Sequence, residues 1–412
     1  MDYIAWAIPF FVGLIAIEVA VACWLGRPYY RFNDAITDIG CGIGQQVVGL
    51  FFRTGLFLGY VYFYERFALI DFSNKPLAAW IVAFVGVDFL YYWWHRWSHR
   101  VNFLWAIHIV HHQSEEYNLA VALRQAWFSG LTAWVVYLPL AFLGIPPLVF
   151  VAMVSISTLY QFWIHTRLIG KLGWLEWIIN TPSHHRVHHG RDPKYIDKNY
   201  GATLISWDRL FGTFQEEEEE PLYGTVKPYA SWNSIWANFD YWAQLWQQAR
   251  RAPYVWDKIR IWFMPPEWQP RGLQSPPPAD SGERIRYETR VPLGLNGYIA
   301  LQYAVLVPAM MWLMLNADSL RLSERVGAVS LILLTLLIWG GLFEKKYWAL
   351  PLELGRLALI AAATLAYSWA EPAIWPLGAV TSVIVLLLAG WILRYRSLLM
   401  VSERRVVPLW GR

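Results

Sequence analysis

Nine apolar runs, each roughly 18 to 22 residues long, dominate this chain, and each is long enough to cross a hydrocarbon core about 30 Å thick as a helix. They lie near 4–25, 44–64, 77–94, 127–144, 147–165, 294–315, 326–343, 351–369 and 374–393. Within lipid a helix satisfies all of its own backbone polar groups. The chain therefore reads as an all-α integral membrane protein with about nine transmembrane helices. Composition agrees: 57% of the 412 residues are hydrophobic and only 16% charged, against about a quarter charged in soluble domains. The 27 Trp and 23 Tyr suit the membrane–water boundary, where a ring can be apolar on one edge and hydrogen-bonded on the other. The first run, Ile4 to Leu25, lacks a basic flank and exceeds a signal-peptide core, so it reads as a retained helix. A net charge of +4, scattered along the chain, argues against nucleic acid and suits an anionic leaflet.

Two long polar stretches, 95–126 and 166–293, interrupt the runs, and Gly144-Ile145-Pro146-Pro147 breaks the fourth from the fifth. Lys and Arg gather on the cytoplasmic side of membranes. With an outward N-terminus, Arg27, Arg31, Arg96, Arg100, Arg124, Arg167, Lys171, Lys345, Lys346, Arg394 and Arg396 all fall inside. Outside remain only Arg66, Lys75, Arg321 and Arg325. Both polar stretches are thus expected on the cytoplasmic side. The Pro-rich segment 265–292 reads as a linker between a catalytic membrane domain, 1–264, and a four-helix C-terminal membrane domain, 293–412. Glu216 to Glu220 reads as a solvated loop, because like charges this dense repel.

All ten histidines lie between His95 and His189, less than a quarter of the chain. His95 and His99 stand four apart, on one face of a helix that prolongs the third run. His108, His111 and His112 supply i, i+3 and i+4, and His185, His188 and His189 repeat that spacing, with His184 just before. His165 closes the fifth run. Imidazole is the commonest side-chain ligand of transition metals, and eight box histidines with His165 exceed the needs of one four- to six-coordinate ion. Two metals follow. His184 reads equally as an outer or solvent-facing neighbour, and His165 as a packed core histidine or a ligand. Neutral nitrogen ligands leave metals electron-poor with positions open for oxygen. With only Cys23 and Cys41 there is no thiolate zinc site or disulfide framework, and no HExxH motif supports hydrolysis. Glu115 and Glu116, just past the second box, can ligate, orient an imidazole or relay protons. A metal transporter would instead place polar ligands near the bilayer midplane, whereas these histidines lie past helix ends.

The boxes HRWSH, HIVHH and HHRVHH together resemble those of the fatty acid hydroxylase/sterol desaturase superfamily of membrane di-iron enzymes. Within it, NFLWAIHIVHHQSEEYNLAVALRQ, LYQFWIHT and NTPSHHRVHHGRDPKYIDKNYGATLISWDRLFGTF resemble the alkylglycerol monooxygenase branch, over about residues 80–225. The resemblance implies two irons held by the box histidines, a helical cytoplasmic cap over them, and oxygen-dependent hydroxylation of a lipid drawn from the bilayer. In that branch the carbon next to a glyceryl ether oxygen is hydroxylated, and the product collapses to a fatty aldehyde and a glycerol derivative. The glutamate required after the second box falls on Glu115, and tetrahydrobiopterin serves as reductant. The chain departs from the branch at HHQSEE and in its acidic run, which bears on substrate and reductant. Hydroxylation or desaturation of a fatty acyl or sterol substrate uses the same metal site. The sequence carries no flavin, haem or iron–sulfur motif, so electrons are expected from a diffusible reductant or a separate redox protein.

Overall fold

A computed structural model describes residues 3–273, 285–371, 373 and 375–400. The centre of the predicted linker, 274–284, and the last twelve residues of the predicted C-terminal domain, 401–412, lie outside the described residues. Among the described residues no strand forms, only two isolated bridges, Ile179 with Leu204 and Gly190 with Tyr223. The helices group into two units, one of residues 1–229 and 236–286, the other of 230–235 and 287–412.

The first unit begins with α1 (Tyr3–Trp24), a span whose apolar surface is interrupted by Glu18. That carboxylate is only 3% exposed. It accepts the Leu119 N–H at 2.8 Å and the hydroxyls of Tyr30 and Thr166. Next come α2 (Phe32–Gly49) and α3 (Arg53–Phe67), bent by 59° where 44–64 was predicted as one straight span. The Arg53 guanidinium folds back on the carbonyl and side chain of Gln46 and holds that corner. α2 turns polar side chains into the interior. Asn33, Asp34, Thr37 and Asp38 are all buried, and Asp34 and Asp38 take Ser114 and Arg124 at 2.7 and 2.9 Å.

α4 (Pro76–Arg100) starts with Pro where a helix has no use for the N–H. Its 25 residues outrun the predicted 77–94 and carry the first histidine pair beyond the apolar stretch. One extended residue, Val101, separates it from α5 (Asn102–His112). Buried Asn102 fixes that joint, donating to the Ile261 carbonyl at 2.9 Å and accepting from the Tyr241 hydroxyl at 2.6 Å. The short α6 (Leu119–Ala122) is capped by the Asn118 side chain. α7 (Ser129–Leu143) and α8 (Pro147–Trp163) form the expected hairpin, turned at Gly144, whose φ of 102° and close approach to Ile70 exclude a side chain. At 15 and 17 residues they are shorter than a full-length span. Tyr60, Val87, Tyr137, Leu140 and Phe150 weld α3, α4, α7 and α8 into one apolar core. The remaining helices of the unit are α9 (Pro182–His188), α10 (Ser206–Phe211), α11 (Asp240–Arg251) and α12 (Val255–Arg260).

The second unit holds α13 (Leu293–Asn316), α14 (Leu322–Phe343), α15 (Ala349–Ala370) and α16 (Trp375–Leu393). Among the described residues six helices, α1, α4 and these four, are long and apolar enough to span a membrane, or seven spans with the bent pair. Inside the second unit Glu353 is fully buried and accepts from Arg356 at 2.8 Å, from Gln302 at 3.1 Å and from the Tyr298 hydroxyl. That closed network neutralises charge that would be costly in lipid.

Candidate metal centre

Nine of the ten histidines converge in the first unit, all buried, in two adjoining groups. One comprises His95, His99, His108, His112 and His188, the other His111, His165, His185 and His189. Within each group the candidate ligand nitrogens lie within 4.8 Å of one another. Helical geometry explains the division. In each box the residues at i and i+4 share a group: His95 with His99, His108 with His112, His185 with His189. The i+3 residue is rotated to the other side of that pair, so His111 and His188 cross into the opposite group. The groups meet where the His112 and His189 rings stack, 4.4 Å between centroids.

Several tautomers are fixed by backbone acceptors. Nδ1 of His95 lies 2.8 Å from the Tyr200 carbonyl, that of His188 2.9 Å from Lys198, that of His111 3.0 Å from Arg124 and that of His165 2.7 Å from Gln161. Each of these nitrogens must donate, which leaves Nε2 as a bare lone pair. Yet Nε2 of His95 lies 3.0 Å from Nε2 of His108, whose tautomer no backbone acceptor fixes, and the bare Nε2 of His165 faces the bare Nε2 of His111 at 3.3 Å. Two lone pairs so close repel unless a cation lies between them. Nε2 of His99, His188 and His189 has no hydrogen-bond partner among the described residues, and an unsatisfied buried polar group costs about 1–3 kcal/mol. Protonation is not the remedy. Burial, then neighbouring imidazoles, push His108, His112, His165, His185, His188 and His189 well below the ordinary range, and burial brings His111 to about 4. Neutral, converging imidazoles with their far nitrogens anchored fit a pair of transition-metal ions.

His184 stands apart. Its ring packs edge-on against Phe214, and burial beside Arg209 lowers it to about 4. Glu115 is in neither group; it is 8% exposed and lines a cavity of about 380 Å³ with Arg167, Arg191, Glu220, Tyr223 and Arg286. Glu116 is tied up by Arg31 at 2.8 Å and Arg286 at 2.6 Å. The acidic run is not uniformly solvated as expected. Glu217 is 11% exposed and takes the Arg186 guanidinium in two bonds of 2.6 and 2.7 Å, while Glu216, Glu218, Glu219 and Glu220 each pair with Lys171, Lys194 or Arg167. Arg186 also donates to the carbonyls of Thr166 and Ile169, so it joins the third box to the segment after His165. Sequence reasoning missed Arg186, Asp197 and Arg124. The one available signal was the basic residue inside HHRVHH.

Comparison with known proteins adds an independent line. A fatty acid hydroxylase family model matches residues 80–213. The chain is 38% identical to alkylglycerol monooxygenase of Homo sapiens over 358 residues, 85% of this chain and 80% of that protein. To the Danio rerio protein of the same name it is 39% identical over 367 residues, 87% of the chain and 81% of the relative. An ornithine lipid hydroxylase of Rhizobium tropici is 30% identical over 141 residues, 34% of the chain and 43% of that protein. No solved structure matches. The chain belongs to the alkylglycerol monooxygenase family, and its shared fatty acid hydroxylase region contains every histidine of the two groups.

Proposed function

We propose that this membrane lipid monooxygenase is a di-iron enzyme hydroxylating the carbon next to the ether oxygen of an alkylglycerol. The observation that carries the reading is the convergence of nine imidazoles into two all-imidazole groups, with the bare Nε2 atoms of His111 and His165 facing each other at 3.3 Å. Five and four imidazoles would each hold one ion, and the pair supplies the redox chemistry by which dioxygen attacks an unactivated C–H bond. The balance is one C–H bond and one O2, with two electrons and two protons from a donor, giving one C–OH and one water. The product is a hemiacetal, which breaks its C–O bond to leave a fatty aldehyde and a free glycerol hydroxyl. The electrons come from a diffusible reductant, tetrahydrobiopterin by family resemblance, or from a separate redox protein.

The chain's own residues exclude water and hold protons. Tyr117, fully buried, stacks on His165 at 5.7 Å and on Tyr223 at 5.0 Å, and seals the four-histidine group from the cavity that Glu115 lines. Glu115, three residues beyond His112, serves as the proton carrier between that cavity and the site. The bent pair and the two short helices, taken as spans, support a reading of nine crossings, and the Lys and Arg bias supports a site and cap on the cytoplasmic side. Iron-loaded protein, incubated in detergent with an alkylglycerol, oxygen and reduced pterin, should release one aldehyde per substrate consumed. Iron-loaded protein that consumes oxygen and oxidises fatty acyl or sterol lipids, but not alkylglycerols, would overturn the substrate assignment.

A further inference from the structure

One short segment, Asp197 to Tyr200, touches three of the five histidines in the larger group, although these come from two different helices. The Tyr200 carbonyl anchors Nδ1 of His95 at 2.8 Å, and the Lys198 carbonyl anchors Nδ1 of His188 at 2.9 Å. The Asp197 carboxylate lies 3.7 Å from Nδ1 of His99, on the ring edge opposite the candidate ligand atom. The Tyr200 ring then packs on all three imidazoles, at 5.6, 5.2 and 5.8 Å from His95, His99 and His188.

The segment is itself held in an uncommon shape. Asp197 and Asn199 have φ of 60° and 54°, a left-handed conformation that Asp and Asn tolerate better than most residues. The Asn199 amide donates to the carbonyls of His184 and Gln215 at 3.1 and 2.7 Å and accepts from the Gln215 N–H at 2.9 Å. Asp208, fully buried, receives the N–H groups of Tyr200 and Gly201 at 2.8 and 2.7 Å. Arg100 holds the Asp197 carboxylate from the exposed side at 2.5 Å. The smaller group has nothing comparable. His111 and His165 are anchored by carbonyls of separate segments, Arg124 and Gln161, and among the described residues no carboxylate lies within ion-pair distance of its four imidazoles.

We propose that Asp197–Tyr200 is a brace dedicated to the five-histidine ion, with Asp197 as a positioning residue that orients His99 and enriches its ring. The two ions then differ in how tightly they are held. This rests on the two-metal reading, and the test separates the two ideas. Wild-type and Asp197→Asn protein would be loaded with 57Fe(II) without oxygen and examined by Mössbauer spectroscopy, metal analysis and competition with a ferrous chelator. Asn keeps the size and tolerates the backbone, so only the charge is removed. Wild type should carry two irons per chain; fewer than two would defeat the two-metal reading itself. In Asp197→Asn, one iron should leave about 10- to 100-fold faster, the usual scale for losing such a supporting contact. Its Mössbauer doublet should shift while the other stays in place. Arg100→Gln, on the exposed side of the carboxylate, should accelerate loss of the same iron to a smaller degree and gives the same reading if Asp197→Asn does not fold. Unchanged exchange in both variants, or equal acceleration of both irons, would overturn the brace.

Discussion

The two histidine groups share ligand chemistry but not construction. The five-histidine group draws on α4, α5 and α9 and is backed by one continuous segment. The four-histidine group draws on α5, the segment after α8, and α9, and depends on a salt-bridged arginine for cohesion. One is over-determined, with a ligand to spare and a common scaffold. The other offers four candidate ligands, no spare, and a composite wall of separate loops. If each group holds one ion as proposed, the two need not be equally robust, and the ion with four imidazoles would have more positions free for oxygen and substrate.

The sharpest way to break this contrast is to delete one ligand from each group. His165→Ala leaves three imidazoles and should take bound iron from two per chain to one, while His99→Ala leaves four and should retain part of its second iron. Both should lose nearly all turnover, so metal content measured beside activity decides; equal iron loss would mean the groups are equivalent. Next comes Arg186→Gln, which strands Glu217 and frees the carbonyls after His165. Breaking a buried ion pair costs about 3–5 kcal/mol, so denaturant unfolding should fall by that order and chelation should strip the four-histidine ion first.

Acid should act on the iron-free protein in a defined window. Folded, His111 takes a proton only near 4, against an ordinary value of 6.5. Between those values the unfolded chain binds the extra proton, so stability falls as pH drops from about 6.5 toward 4, by about 3 kcal/mol for a shift of this size. Unfolding free energies of chelator-treated protein across that range check the slope, and His111→Gln should lessen it by one proton's share while the other buried histidines keep the rest. Glu115→Gln should lower turnover about 10- to 100-fold while both irons stay bound, the scale expected of a residue outside the ligand set. The smallest effect belongs to His184→Ala, which should keep two irons and most activity. A metal-free variant would place His184 inside the ligand set.

Much of this was legible before any coordinates. The apolar runs marked the long helices, and the i, i+3, i+4 spacings marked histidines that the structure gathers into two groups, because both signals repeat with the helix itself. The partition into groups was not read, although adjacent His111 and His112 lie on opposite sides of a pair. The brace was invisible for a different reason. Tyr200 and Lys198 act through backbone carbonyls, which every residue type possesses, and Asp and Asn at 197 and 199 are too common in ordinary loops to announce their positive φ. The corner between α2 and α3 escaped because apolar composition continues through it; only the return of Arg53 onto Gln46 breaks the line.

Glu18 imposes an order on biogenesis. It sits in α1, yet two of its partners, Leu119 and Thr166, lie roughly a hundred and a hundred and fifty residues downstream. At about 5–20 residues per second, the ribosome needs on the order of ten to thirty seconds to deliver them. During that interval α1 carries a carboxylate without these partners, and such a helix is costly to leave in hydrocarbon. A helix made before its partners therefore settles after them, and the final seating of α1 waits on the segment that carries His165.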